Sequence, residues 1–118
     1  MILVDTSVWI DHFQAANERL KSLLLDQQVL SHPFIVGELA CGTLHKRGEI
    51  LANLNALPRA HLIEHEEVMS FLEAHRLYGQ GIGWVDAHLL ASTVLTRCVI
   101  WTFDKPLRRA AAALTVLA

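Results

Sequence analysis

The sequence lacks the features that mark several common protein classes. It has only two cysteines in 118 residues. Cys41 and Cys98 both lie in apolar stretches, which predicts buried free thiols rather than a disulfide framework. No apolar run approaches the roughly 18 residues of a membrane span, and Asp5 interrupts the N-terminal apolar run, so no secretory signal is predicted. These absences favour one cytoplasmic domain over residues 1–118 with no membrane association.

An excess of positive charge is also missing. Ten basic and twelve acidic residues give a net charge of −2, which excludes the global basic field of a non-specific nucleic-acid binder. Any contact with nucleic acid must then come from local basic clusters or through a bound metal ion. The hydrophobic fraction of 53% is high for so short a chain. Two interpretations stay open: an apolar face for a partner or a dimer, or a core rich in leucine and alanine.

Two kinds of cofactor motif are absent as well. The seven histidines show no metal-ligand spacing. Gly79, Gly81 and Gly83 form a G-x-G-x-G run. This run does not follow a predicted strand, so it is interpreted as a flexible turn rather than as a dinucleotide-binding loop.

Short apolar runs alternate with helical patterns along the whole chain. The first run, residues 2–4, is continuous and contains β-branched residues, which is typical of a strand buried on both faces. The alternation predicts an α/β fold with a right-handed, mostly parallel five-stranded sheet in a three-layer α/β/α sandwich. The predicted strands are 2–4, 29–31, 61–63, 98–103 and 114–117. The predicted helices are 8–14 (capped by Ser7), the segment after Asn17, 33–44, 47–57, 66–78, 84–97 and the segment after Lys105.

Four acidic residues occupy positions that suit a site. Asp5 and Asp104 each follow a predicted strand, and open α/β sheets bind ligands at the carboxyl ends of their strands. Glu38 is the one charged residue of an apolar helix, so it needs a partner or a metal unless it reaches solvent at the helix edge. Asp86 lies in the first turn of a helix, where the helix dipole alone would also favour an acid.

Taken together, the four acids predict a metal centre. Four carboxylates in one crevice could not all stay ionised without a cation. Oxygen ligands without histidine or cysteine favour Mg²⁺ or Mn²⁺. Such a centre suits phosphodiester hydrolysis, because the ion activates a water and stabilises charge on the transition state.

Four segments carry a resemblance to a known family. They are residues 2–7, residues 37–39 with Gly42, residues 81–91 and residues 102–104. In this order and spacing, the sequence resembles the PIN-domain ribonucleases, and most closely the compact VapC-type toxins of bacterial toxin–antitoxin modules. The resemblance covers essentially the whole chain.

This resemblance implies an endoribonuclease that uses Mg²⁺ or Mn²⁺. The metal ligands and catalytic residues would be Asp5, Glu38, Asp86 and Asp104. The hydroxyls that support these acids or bind the phosphate would be those of Thr6, Ser7 and Thr102. Family members are commonly dimers, and a cognate antitoxin blocks the site. Trp9, Phe13 and nearby leucines would face the antitoxin or, alternatively, pack in the core.

The sequence departs from some relatives after the last aspartate. Those relatives carry a fifth acid a few residues further on, where this sequence has Lys105, Arg108 and Arg109. One ion held by the protein is therefore expected, and any second ion would arrive with the phosphate. The three basic residues would contact RNA phosphates or, equally, form a solvated helix face.

Other functions fit less well. A phosphatase of the haloacid dehalogenase type would need a second aspartate two residues after the first, where Ser7 stands. A receiver-like signalling domain would need paired acids after the first strand and an acceptor aspartate ending a mid-chain strand, and neither is found. A catalytically inactive PIN fold that acts as a binding module is the remaining alternative, and an activity assay distinguishes it.

Overall fold

The sheet is built around β1 (Ile2–Val4), the apolar run next to the N-terminus. In the computed structural model, which describes residues 1–118, β1 lies between β2 (Val29–Leu30) and β3 (Val99–Trp101), and both neighbours are parallel to it. Leu3 and Val4 are fully buried. The two-sided burial predicted for this strand is therefore observed.

Seven helices surround the sheet, and the elements alternate in the α/β manner that was predicted. The helices are α1 (Thr6–Ala15), α2 (Glu18–Leu25), α3 (Pro33–Cys41), α4 (Arg47–Ala56), α5 (His65–Ala74), α6 (Trp84–Thr96) and α7 (Lys105–Ala113). None of them is long and apolar enough to cross a membrane.

The prediction of five strands is wrong, because the structure has three. The segments 61–63 and 114–117 do not form strands. Single parallel bridges join Ser31 to Arg59, before the first segment, and Ile100 to Leu117, within the second. The His61 backbone N–H donates to the Thr96 side chain instead of to a strand.

Residues 114–117 do not form a strand for a different reason. Its first amides close α7: the N–H groups of Thr115 and Val116 donate to carbonyls of that helix. Thr115 also adopts a left-handed backbone with φ of 58°. Only the end of the chain is therefore extended beside β3.

Some helix boundaries also differ from the prediction, and α3 ends at Cys41 rather than at residue 44. Asp5 rather than Ser7 caps α1, which begins at Thr6. The helix α5 ends at Ala74, because Arg76 takes a left-handed backbone with φ of 51°. Asn17, which was expected to cap α2, does accept the Leu20 N–H in the first turn of that helix, and α3 begins at Pro33 as predicted.

The burial of individual residues tests the predictions made for the aromatic residues of α1 and for the two cysteines. Trp9 is only 4% exposed and belongs to the main hydrophobic cluster, so core packing is its role, whereas Phe13 is only partly buried. Cys98 is buried as expected, but Cys41 is exposed near the end of α3, so its predicted burial is wrong.

Candidate metal centre at the carboxyl end of the sheet

The turns after β1 and β3 lie side by side and carry two of the four acids. The Asp5 backbone N–H donates to the Trp101 carbonyl at 2.9 Å, which continues the β1–β3 ladder into the first turn. Asp5 caps α1, and Asp104 caps α7. Two helix N-termini therefore begin at this edge of the sheet, where their dipoles favour negative charge.

Two hydroxyls hold Asp5 in place. Its Oδ2 accepts hydrogen bonds from Ser7 Oγ and from Thr102 Oγ1, each at 2.8 Å. The carboxylate is only 6% exposed, and hydrogen bonds to a charged acceptor are the stronger kind. The orientation of Asp5 is thus fixed by residues from both turns.

The same hydroxyls extend the network into the turn after β3. Ser7 Oγ accepts from the Phe103 backbone N–H at 3.0 Å, and Thr102 Oγ1 accepts from the Asp104 N–H at 3.0 Å. Since each hydroxyl directs its single proton to Asp5, neither donates to the other. Ser7 and Thr102 therefore join Asp5 to the backbone that leads into Asp104.

Each of the four acids accepts hydrogen bonds on only one of its two oxygens. Glu38 Oε1 accepts from Thr6 Oγ1 at 3.0 Å, Asp86 Oδ2 from the Gly83 N–H at 3.1 Å, and Asp104 Oδ2 from the Leu107 N–H at 3.1 Å. The second oxygen of each carboxylate, including Oδ1 of Asp5, has no donor within the protein. Four oxygens thus stay available to a ligand.

The carboxylates also influence one another's ionisation. Burial raises the pKa of Glu38, and the charges of Asp5 and Asp86 raise it further against the hydrogen bond from Thr6. Burial likewise raises the pKa of Asp86, with added repulsion from Asp5 and Asp104. All four acids therefore belong to one electrostatic cluster.

No basic side chain neutralises this cluster. The one ion pair of the protein joins Lys21 to Glu18 at 3.6 Å on the exposed face of α2. As they stand, no three of the acidic side chains are gathered tightly enough to enclose an ion. The donor set is nevertheless all oxygen, unpaired and mutually repulsive, which is the chemistry that fits Mg²⁺ or Mn²⁺.

Comparisons with known proteins identify the family of the chain. A family model described as PIN domain matches residues 2–113. The chain belongs to the PIN-domain family. It is 45% identical, over 95% of its own length and 91% of the relative's, to "Ribonuclease VapC32" of Mycobacterium tuberculosis strain CDC 1551 / Oshkosh. The protein of the same name from strain ATCC 25618 / H37Rv matches to the same extent.

Three basic residues of this PIN domain follow Asp104 on α7. Lys105, Arg108 and Arg109 are all exposed in the first half of α7, the helix that Asp104 caps. Arg108 also donates to the Thr102 carbonyl at 3.1 Å, so it has a local structural contact as well. The side chains of Lys105 and Arg109 make no hydrogen bond or ion pair within the protein.

Two buried polar residues near the site of this PIN domain were not predicted to have a role. His32 caps α3, and its ring also reaches Ser92 on α6, with Nε2 and Oγ 3.1 Å apart. The helix start at His32 could be predicted from the Pro33 that follows it. Its contact with Ser92 could not, because the two residues are far apart in sequence.

Proposed function

We propose that the protein is the toxin of a toxin–antitoxin module and that it hydrolyses RNA phosphodiester bonds with a Mg²⁺ or Mn²⁺ ion. The observation that carries the proposal is the cluster of four acids without an ion pair, in which every acid keeps one unbonded oxygen. The similarity to a protein named as a ribonuclease supports the choice of RNA.

The four acids would hold the ion through their unbonded oxygens. A bound divalent cation supplies a polarised water and positive charge beside the scissile phosphate. Ser7 and Thr102 keep Asp5 oriented, and Thr6 does the same for Glu38. Supporting hydrogen bonds of this kind tune the affinity and the geometry of metal sites.

A single ion held by the protein is the expected stoichiometry. Beyond Asp104 the chain places Lys105, Arg108 and Arg109 on α7 and no further acid. These side chains would bind RNA phosphates, and their charge would offset the repulsion between the acids and the RNA backbone.

The antitoxin would bind in the groove between α1 and α4. This groove has a volume of about 520 Å³ and is lined by Phe13, Leu39 and Ile50 among others, and by one of the four acids, Glu38. A partner segment lying there would bury apolar side chains and reach the acids, which would block access of RNA to the site.

A homodimer is the second proposed association. Leu62 and Leu95 are both more than half exposed, and they lie in neighbouring segments, because the His61 N–H donates to Thr96. Burying such side chains against a second copy is favourable. Analytical ultracentrifugation of the wild type and of Leu95→Glu tests this proposal: the wild type should sediment as a dimer and the variant as a monomer.

The nuclease proposal is tested by incubating antitoxin-free protein with total cellular RNA in Mn²⁺, in Mg²⁺ and in EDTA. Asp5→Asn is the test variant. Asp11→Asn is its matched control, because Asp11 is an exposed acid of the same helix whose carboxylate accepts only from Asn17. Discrete fragments that need the metal, persist in Asp11→Asn and vanish in Asp5→Asn are expected. Full activity in Asp5→Asn would refute the assignment, and absence of cleavage with every metal would favour an inactive binding module.

A further inference from the structure

His32 and Ser92 form a buried hydrogen-bonded pair between the two helices that carry Glu38 and Asp86. His32 Nε2 lies 3.1 Å from Ser92 Oγ, and both side chains are fully buried. His32 caps α3, and Ser92 lies in the second half of α6. The pair is a direct polar link between the start of one acid-bearing helix and the body of the other.

The hydrogen bonds determine which nitrogen of His32 carries the proton. The Phe34 backbone N–H donates to Nδ1 at 3.0 Å, so Nδ1 is unprotonated and Nε2 carries the proton of the neutral ring. Nε2–H therefore donates to Ser92 Oγ. Burial and the nearby His88 lower the pKa of His32 to about 4, so the ring stays neutral around pH 7.

Ser92 uses its hydroxyl differently from its neighbour. A serine or threonine inside a helix commonly donates to the carbonyl of the preceding turn, and Thr93 does so to the Leu89 carbonyl at 2.6 Å. The hydroxyl oxygen of Ser92 accepts from Nε2–H of His32, which lies at the start of another helix. The bond therefore connects two helices, whereas the bond of Thr93 stays within one.

An aromatic contact reinforces this connection. The Phe34 ring, in the first turn of α3, lies 5.2 Å from the ring of His32 and 4.7 Å from the ring of His88 on α6. The start of α3 is thus fixed against α6 by one hydrogen bond and by ring packing. Each acid lies six residues along its helix from the pair, which is roughly 9 Å.

We propose that His32 and Ser92 are positioning residues that set the separation of Glu38 from Asp86 and so determine how tightly the four acids bind a divalent cation. This inference rests on the proposed function, since it takes the four acids as metal ligands. The only hydrogen bond that the carboxylate of Glu38 accepts comes from Thr6. The core residues Ile35 and Leu39 hold α3 as a unit, so a shift of this helix against α6 would carry Glu38 with it and change its distance from Asp86.

The test compares three variants by titration with Mn²⁺, following the free ion by electron paramagnetic resonance at 25 °C. Ser92→Ala removes the acceptor on α6. His32→Asn keeps an oxygen that can cap α3 but is too short to reach Ser92. Thr93→Val is the matched control, because it removes a fully buried hydroxyl of the same helix that bonds only to Leu89. Thermal melting in EDTA measures the stability of each variant.

We expect Ser92→Ala and His32→Asn each to weaken Mn²⁺ binding roughly 10-fold, the lower end of the range for residues that support metal ligands. Thr93→Val should lower the melting temperature without changing Mn²⁺ affinity. The double variant should bind Mn²⁺ about as weakly as either single variant, because both remove the same link.

A merely structural pair would give a different pattern. If Ser92→Ala and His32→Asn melt at lower temperature but bind Mn²⁺ as the wild type does, the positioning role is refuted. Should Ser92→Ala fail to fold, the same comparison between His32→Asn and Thr93→Val decides the question. Failure of the wild type itself to bind Mn²⁺ would refute the proposed metal centre, which is a separate outcome.

Discussion

Replacing Thr102 by valine tests how the site holds Asp5. The two side chains have nearly the same shape, and Thr102 is fully buried, so the change removes only the hydroxyl. That hydroxyl donates to Asp5 Oδ2 at 2.8 Å and accepts from the Asp104 N–H at 3.0 Å. The variant therefore loses a bond to a carboxylate and leaves an amide without its acceptor.

The expected loss of stability follows from these two bonds. A hydrogen bond to a charged group contributes about 1.5–3 kcal/mol, and an amide left unsatisfied costs about 1 kcal/mol or more. The free energy of unfolding should therefore fall by about 3 kcal/mol. For a domain of this size that corresponds to a melting temperature lower by about 10 °C.

Thr93→Val supplies the comparison for this experiment. Its hydroxyl is equally buried, but it donates to the neutral Leu89 carbonyl, so its loss should cost about 1 kcal/mol. Melting both variants in EDTA at pH 7 measures the difference, and Thr102→Val should also lose about 10- to 100-fold in RNA cleavage. Equal melting temperatures for the two variants would show that the Thr102 hydroxyl does not hold a charged Asp5.

Three further predictions concern charge. Without metal, Glu38→Gln and Asp86→Asn should melt above the wild type at pH 7, yet both variants should lose cleavage. The pKa of each acid is raised in the folded protein, so its ionisation costs stability as the pH rises from about 4. An unchanged or lower melting temperature would contradict this. The pKa of His32 is lowered to about 4, so the wild type should lose its stability advantage over His32→Asn as the pH falls from about 6.5 to 4. Urea unfolding at several pH values measures this difference in stability. A difference that does not depend on pH would be inconsistent with a buried neutral ring. Lys105→Ala and Arg109→Ala should each weaken RNA binding and reduce its salt dependence by about one ion, and unchanged salt dependence would mean a solvated helix face.

The parts of the fold that local sequence determines were predictable. The buried strand β1 follows from a continuous apolar run, the cap of α2 follows from Asn17, and the start of α3 follows from Pro33. The number of strands was not predictable in the same way. Residues 114–117 have the composition of a strand, but most of their backbone amides close α7, and nothing in the local pattern distinguishes these two uses.

The candidate site was predictable in its residues rather than in its geometry. The carboxylates could be located because each stands at a strand end or as an isolated charge in a helix. Asp5 has a double role, as helix cap and as candidate ligand, that composition alone did not reveal, and the prediction that Ser7 caps α1 was wrong for this reason. The link from His32 to Ser92 depends on packing between distant segments, which a single sequence does not specify.

Anomalous diffraction from a crystal soaked in Mn²⁺ tests most directly whether the four acids together hold a divalent cation. One strong anomalous peak is expected within roughly 2.0–2.6 Å of carboxylate oxygens of Asp5, Glu38, Asp86 and Asp104, and this peak should be lost in Asp5→Asn. A peak elsewhere on the protein, or no peak at a Mn²⁺ concentration that supports cleavage, would contradict this assignment.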